Sequence, residues 1–360
     1  MKCISASTYS LKQAPIIVVL FGVVLILIAG GCASGAGASA SDSAKPVLLD
    51  TDDLVYVACE DSDEVAVLRA KDASRVASIR VGAGPYAVVY DPATRRAYVT
   101  NGDEGTVSVI DTSSHQVIGE ISVGGQPQAA ALGRDGRYLY VADSSSDVVA
   151  VVDTTAGQVV STTRVGQAPE SMVFSSDYRK MYVVNLRSGS VSVVDPETNA
   201  VVKTIPGGHG PSGLAISPDG SKIFLGGHGQ MGSGQHMTNK QVQMIDATTG
   251  KRLGAYDVGS MPIALKLAES GKYLYALCHG SNELWAIDAD VDSVETFASR
   301  SSATIKVGED PRALAMVGNG RFIYVANVAS NDISVIDTLG NRLVATVAVG
   351  KRPRGLAAVY

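Results

Sequence analysis

A unit that starts at Val81 and runs to Thr112, VGAGPYAVVYDPATRRAYVTNGDEGTVSVIDT, returns along the chain at a near-constant interval. Three markers measure that interval independently. The aromatic at Tyr98 recurs as Tyr56, Tyr98, Tyr140, Tyr182, Phe224, Tyr275 and Tyr324, at spacings of 42, 42, 42, 42, 51 and 49 residues. The turn proline recurs as Pro85, Pro127, Pro169, Pro211, Pro262, Pro311 and Pro353, and the aspartate closing a Val-Ile-Asp strand as Asp111, Asp153, Asp195, Asp246, Asp288 and Asp337. A fixed period in the forties restricts a chain to a repeat architecture, and four short strands per unit predict a propeller blade.

Within one unit the first strand follows the proline, Tyr86 to Tyr90. Several copies then carry a two-residue hairpin signature: Asp135-Gly136, Asp219-Gly220, Ser270-Gly271 and Asn319-Gly320. Glycine in the second place tolerates the positive φ of such turns. The second and third strands are apolar on both faces, as in Val149 to Val152, which fits a sheet covered on both sides. The fourth is mixed, as an outer edge should be. The chain begins its first unit at a second strand, Leu54 to Ala58, and ends after a first strand, Pro353 to Tyr360. The expected fold is therefore an all-β, seven-bladed β-propeller of four-stranded antiparallel blades. Pairing of the C-terminal strand with the N-terminal blade would close the ring.

The N-terminal region reads differently. Pro15 to Gly31 is an apolar run behind a weakly basic start, the order of a secretory signal. Ile28-Ala29-Gly30-Gly31-Cys32 resembles a bacterial lipobox, with Ala29 where a leucine is usual and Ile28 next to it. The resemblance implies a lipoprotein-type signal over residues 1–31 and lipidation at Cys32. An uncleaved membrane anchor and ordinary secretion are the alternatives, and all three place the propeller outside the cytoplasm. Residues 32–48 are rich in Ala, Gly and Ser and read as a flexible tether. The repeat occupies residues 49–360.

A formal net charge of −5 without any basic run argues against nucleic acid as a partner. Cys59 and Cys278 share the repeat position of Asn101 in blades that are not neighbours, so no disulfide is expected between them.

Tyr98-Val99-Thr100-Asn101 spells the tetrapeptide of the YVTN β-propeller repeat, and Tyr182 to Asn185 and Tyr324 to Asn327 are near copies. Over residues of about 49–360 the chain resembles secreted or surface-attached YVTN proteins. That resemblance implies partner binding or no assigned activity. More distantly it is similar to lactonases, haem d1 domains and nitrous-oxide reductases; the last need more histidines than the five present. Fold does not choose among these.

Irregularities in a regular array are where function is added. One insertion lies between Phe224 and Asp246, in the loop after a second strand; another falls within Ala289 to Ser302. The turn into a first strand and the loop after a second strand share one end of a blade. His209, His228, His236 and His279 therefore fall on one face, with Cys278, Met231 and Met237. Imidazole, thiolate and thioether suit copper, and the first two suit zinc. The alternative leaves these histidines as turn and surface residues and Cys278 as a small core residue. No CxxCH or GxSxG is present.

A second group surrounds the channel. The residues after the seven prolines are Tyr86, Gln128, Glu170, Ser212, Ile263, Arg312 and Arg354. Arg312, Arg354 and Arg352 form a basic patch where a small anion could be held, since guanidinium pairs suit carboxylates.

The leading expectation is a non-catalytic, membrane-tethered, monomeric scaffold binding an envelope protein or small ligand through the insertion-bearing face. A copper- or zinc-binding or redox-accessory protein is the first alternative, and a lactonase-like or lyase-like enzyme the second. Aromatic platforms for sugars look scarce with one Trp and 5 Phe, although 14 Tyr could serve.

Overall fold

The computed structural model describes residues 52–230, 237–289 and 301–360. Cys32, Met231, His236 and most of the second insertion lie outside the described residues. Seven four-stranded antiparallel sheets follow one another, each a blade. Blade 1 consists of Pro85–Asp91, Arg96–Asn101, Thr106–Asp111 and Gln116–Ser122. Blades 2 to 6 repeat this order with first strands at Pro127–Leu132, Pro169–Phe174, Pro211–Ile216, Pro262–Leu267 and Pro311–Val317.

Blade 7 is composite. Its outer three strands are Leu54–Cys59, Glu64–Arg69 and Arg75–Arg80, and its innermost strand is Pro353–Val359. The C-terminal strand pairs antiparallel with Leu54–Cys59, so the expected closure is present. Arg354 Nε donates to Glu60 Oε2 at 2.7 Å and Arg352 Nε to the same oxygen at 3.0 Å, across the join. Tyr90 of blade 1 adds a hydroxyl hydrogen bond to the Tyr360 carbonyl at 2.9 Å.

The core lies between blades. Tyr56, Tyr98, Tyr182, Tyr324 and Phe224, all repeat markers, are among the largest fully buried side chains. A buried polar lock ties blades 1, 3 and 6 together. In blade 1 Asn101 Nδ2 donates to Thr106 Oγ1 and Ser108 Oγ, both at 2.9 Å, and the Gly82 amide donates to the same Ser108 hydroxyl. Asn185 repeats the lock with Ser190 and Ser192, and Asn327 with Asp332 and Ser334. A Cβ on Gly82 would stand 2.5 Å from Asn101 Nδ2, which explains the glycine of the Val-Gly turn.

In blades 5 and 7 a cysteine replaces that asparagine. Cys278 and Cys59 are both free and fully buried. Their thiols donate to carbonyls of their own strands, Ala276 at 3.8 Å and Val57 at 3.6 Å. They behave as small apolar residues.

Removing residues 353–360 strips blade 7 of its inner strand and leaves Leu54–Cys59 as an open edge. A large drop in melting temperature with concentration-dependent aggregation is expected by calorimetry and light scattering. An unchanged melting temperature would show that closure does not hold the ring.

Candidate functional site

One end of the ring is built by the same backbone contact in every blade. The amide after the second strand donates to the carbonyl of the residue before the turn proline. The pairs run Gly102–Gly84, Ser144–Gln126, Leu186–Ala168, His228–Gly210, His279–Met261, Val328–Asp310 and Glu60–Arg352, at 2.7 to 3.1 Å. Six of the acceptor residues have positive φ, and four of these are not glycine: Ala168 at 52°, Met261 at 57°, Asp310 at 54° and Arg352 at 54°. A side chain in the left-handed region costs about 1–2 kcal/mol. Much of that strain sits beside the charged residues of the channel mouth.

The channel itself opens into a cavity of ≈ 200 Å³. Tyr86, Glu170, Ser212, Ile263, Arg312 and Arg354 line it, six of the seven residues that follow the turn prolines. Arg354 lies over the Tyr86 ring, with Cζ 5.3 Å from its centroid. Arg312 Nε donates to Asp310 Oδ1 at 2.6 Å. His279 Nδ1 lies 2.7 Å from the same oxygen, close but without hydrogen-bond alignment. His228 and His279 stand edge to face, ring centroids 6.3 Å apart. His228 is held at the stem of the first insertion, where Gly229–Gln230 pairs with Met237–Thr238 and the His228 carbonyl accepts from the Asn239 amide at 3.1 Å.

These groups share one electrostatic environment. Burial, then the Arg312 charge and then His279, push His228 down to about 4. Burial and Arg312 also lower His279, against the opposing Asp310 carboxylate. Both imidazoles are therefore neutral near pH 7, and the guanidiniums carry the positive charge. Burial raises Glu170; the Ser212 hydroxyl and the charges of Arg312 and Arg354 oppose this without cancelling it. Its Oε2 is buried with no partner in the protein. Burial also raises Tyr86, with Arg354 pulling the other way. For Glu60, burial works against ionisation, but hydrogen bonds and charge from Arg354 and Arg352 outweigh it and hold the carboxyl low. A carboxyl that burial biases toward its protonated form, beside two guanidiniums and two neutral imidazoles, offers hydrogen-bonding groups and positive charge to a small ligand.

The two sequence groups, histidines and arginines, are thus one cluster. His228, His279, Arg312 and Arg354 come together. Arg352 stands at the rim on Glu60 and Asp61. His209 is exposed. Cys278 does not join the cluster: it packs among Val258, Leu265 and Leu274, and burial pushes its thiol up to about 12, far from a ready thiolate. Among the described residues no group of three or more His, Cys, Asp or Glu side chains is arranged to hold a metal. Glu60 and Asp310 were not singled out by motif. Counting would have found Glu60, because it holds the repeat position of His228 and His279, one past the Asn101 equivalent.

Comparison with known proteins gives two partial family matches. The model "Cytochrome D1 heme domain" covers residues 96–212, and "Lactonase, 7-bladed beta-propeller" covers residues 232–341, each roughly a third of the chain. No curated protein matches. Among solved structures, a hydrazine synthase structure of Kuenenia stuttgartiensis superposes with TM-score 0.71 at 22% identity, covering 84% of this chain and 99% of that one. The periplasmic gluconolactonase of Pseudomonas aeruginosa gives 0.67 at 24%, covering 86% and 99%. A dihydro-heme d1 dehydrogenase gives 0.61 at 15%, covering 88% and 76%. At such identities the likeness is one of fold. Within 96–212 the cavity is lined by Glu170, Ser171 and Ser212, while His115 is paired with the Tyr56 hydroxyl at 2.7 Å and His209 is exposed.

The depressed His228 has a signed consequence. Between about pH 6.5 and about 4 the unfolded chain binds a proton there and the folded chain does not. Stability therefore falls as pH falls through that window and is independent of this group above it. His228→Gln should flatten the acid limb of a plot of melting temperature against pH. An unaltered limb would place His228 in solvent.

Proposed function

We propose that this chain is a YVTN-type propeller, tethered outside the cytoplasm through a lipid on Cys32, that binds a small carboxylate-bearing ligand at the channel mouth. The observation that carries the reading is Arg312 and Arg354 facing one ≈ 200 Å³ cavity with Glu170, whose buried oxygen lacks a partner. Each guanidinium is paired through Nε with Asp310 or Glu60, which orients it and leaves further N–H groups to donate. The cavity lies below the range of about 300–1,000 Å³ typical for drug-sized ligands, so the ligand is small. Glu170, biased by burial toward its protonated form, would face one ligand oxygen while guanidinium groups bind the other. Support for the extracytoplasmic tether is the apolar N-terminal run ending at Cys32, together with the likeness to a propeller described as periplasmic.

A second reading keeps the same site and adds chemistry. The lactonase model spans His279, Asp310 and Arg312, and a lactone opens to a hydroxy acid carrying the carboxylate that this mouth would hold. Glu170 would then handle the proton and the guanidiniums the developing oxyanion. Copper or zinc binding rests on His228 and His279 together with His236.

Titration calorimetry of the full-length protein with a panel of small hydroxy acids tests the first reading. Arg312→Gln should weaken the best ligand by about tenfold or more, the worth of one charge-assisted hydrogen bond. A panel of lactones, followed by pH-stat, tests the second; hydrolysis should vanish in Glu170→Gln. Equal binding by wild type and Arg312→Gln, with no turnover, would remove both. Elemental analysis of protein purified without chelator tests the metal.

A further inference from the structure

The end of the ring opposite the mouth carries a second cavity, of ≈ 340 Å³, formed where blades 2 and 3 meet. Four aromatic rings line it: Tyr138, Tyr140, Phe174 and Tyr178. Tyr140 meets Phe174 edge to face with centroids 5.3 Å apart, and Phe174 stacks on Tyr178 at 5.2 Å and 30°. Tyr178 remains 39% exposed.

Tyr178 also breaks the repeat. It occupies the place of Gly136 and Gly220, the hairpin glycines 42 residues to either side. The turn around it is the same turn. Its amide donates to the Ser175 carbonyl at 2.9 Å, as Gly136 does to Gly133 and Gly220 to Ser217. Its φ is +59°, against +68° and +71° in those two glycines. A bulky residue in this region is strained by about 1–2 kcal/mol, and the neighbouring copies show that glycine would satisfy the backbone. What the strained residue adds over glycine is a ring at the mouth of the cavity, stacked on Phe174 and still partly open to solvent.

The rim sorts the ligand. Arg134, Arg179, Asp135, Asp177 and Glu197 surround the rings. Asp135 and Asp177 are engaged by their own turns, accepting from the Arg137 and Arg179 amides. Arg137 already lies over the Tyr138 ring at 5.1 Å, so a cation would compete with a resident guanidinium. Charges of both signs favour neither a cation nor an anion. They offer donors and acceptors to hydroxyl groups, while flat rings offer apolar faces.

The geometry points to a saccharide-binding cleft here, taking one or two neutral sugar rings stacked on Tyr178 and hydrogen-bonded to the ionised rim. It is independent of the channel mouth, lying at the other end of the blades and sharing no residue with it.

The experiment is titration calorimetry of the full-length protein with cellotriose, maltotriose and chitotriose, alongside tetramethylammonium chloride. At least one trisaccharide should bind and tetramethylammonium should not. Tyr178→Gly restores the turn residue of the neighbouring blades, so its melting temperature should equal or exceed that of wild type. Its sugar affinity should fall by about tenfold or more. Tyr178→Phe keeps the ring and should bind within a few-fold of wild type. Failure of all three sugars, equal binding by Tyr178→Gly, or binding of tetramethylammonium in their place would overturn the assignment.

Discussion

The pairing of Pro353–Val359 with Leu54–Cys59 is the contact on which the rest of this molecule depends. The core lies between neighbouring blades, so an open ring would leave one blade face and one strand edge uncovered, and here one blade is shared between both chain ends. The pairing does two jobs at once. It covers the edge of Leu54–Cys59, and it carries Arg354 into the channel, where the guanidinium spans from Glu60 to the Tyr86 ring. The strand that seals the fold is therefore also a wall of the candidate site. Stability and ligand binding should respond together to changes at this join, more than at any other blade boundary.

Around the ring, the Asn101-type lock sets how much each blade can vary. The amide nitrogen satisfies two side chains of the third strand, and the Val-Gly turn closes over it. Where the lock is kept, in blades 1, 3 and 6, the following residue is Gly102, Leu186 or Val328. Where cysteine replaces it, a short 3-10 turn follows, and Glu60 or His279 begins that turn. In both cysteine blades, then, a titratable residue follows the lost lock at this end. The same end holds Asp310 and Arg352 in left-handed backbone. Strain of that size is affordable because stability in a repeat protein sums over units and interfaces.

Blade number, strand order, closure and the ring of residues after the prolines were all legible in the sequence, because each follows from period and alternation alone. Six of those seven residues do line one cavity. The merging of His228 and His279 with Arg312 was not legible. Sequence position places a residue at one end of a blade, but not its radial distance from the axis, and that distance turns two groups into one cluster. The choice between Cys278 as a ligand and as a small core residue was open for the same reason. Its repeat position marks the end of a strand, and only the packing of the Gly259 turn over its Cβ shows that the thiol points into the core. Tyr178 was visible as a missing glycine between Asp135-Gly136 and Asp219-Gly220, yet its significance depends on a φ and a stacked partner that no spacing reveals.

The departures from the repeat are segregated. The mouth takes His228, His279, Asp310, Arg312, Arg354 and Glu60 from blades 4 to 7, with Tyr86 of blade 1 and Glu170 of blade 3, while the strained aromatic turn of blades 2 and 3 lies at the opposite end. In an up-and-down blade the two ends are joined by strands whose side chains are fixed between neighbouring sheets, and a packed core of this kind does not deform continuously. A substitution at one end therefore leaves the other almost unaffected, and changes at sites without shared partners add. A propeller can in this way hold two chemically different surfaces on one scaffold: a charged mouth set by residues after prolines, and an aromatic cleft set by residues in hairpin turns. The repeat supplies the separation, because the two classes of position alternate along every blade and never meet.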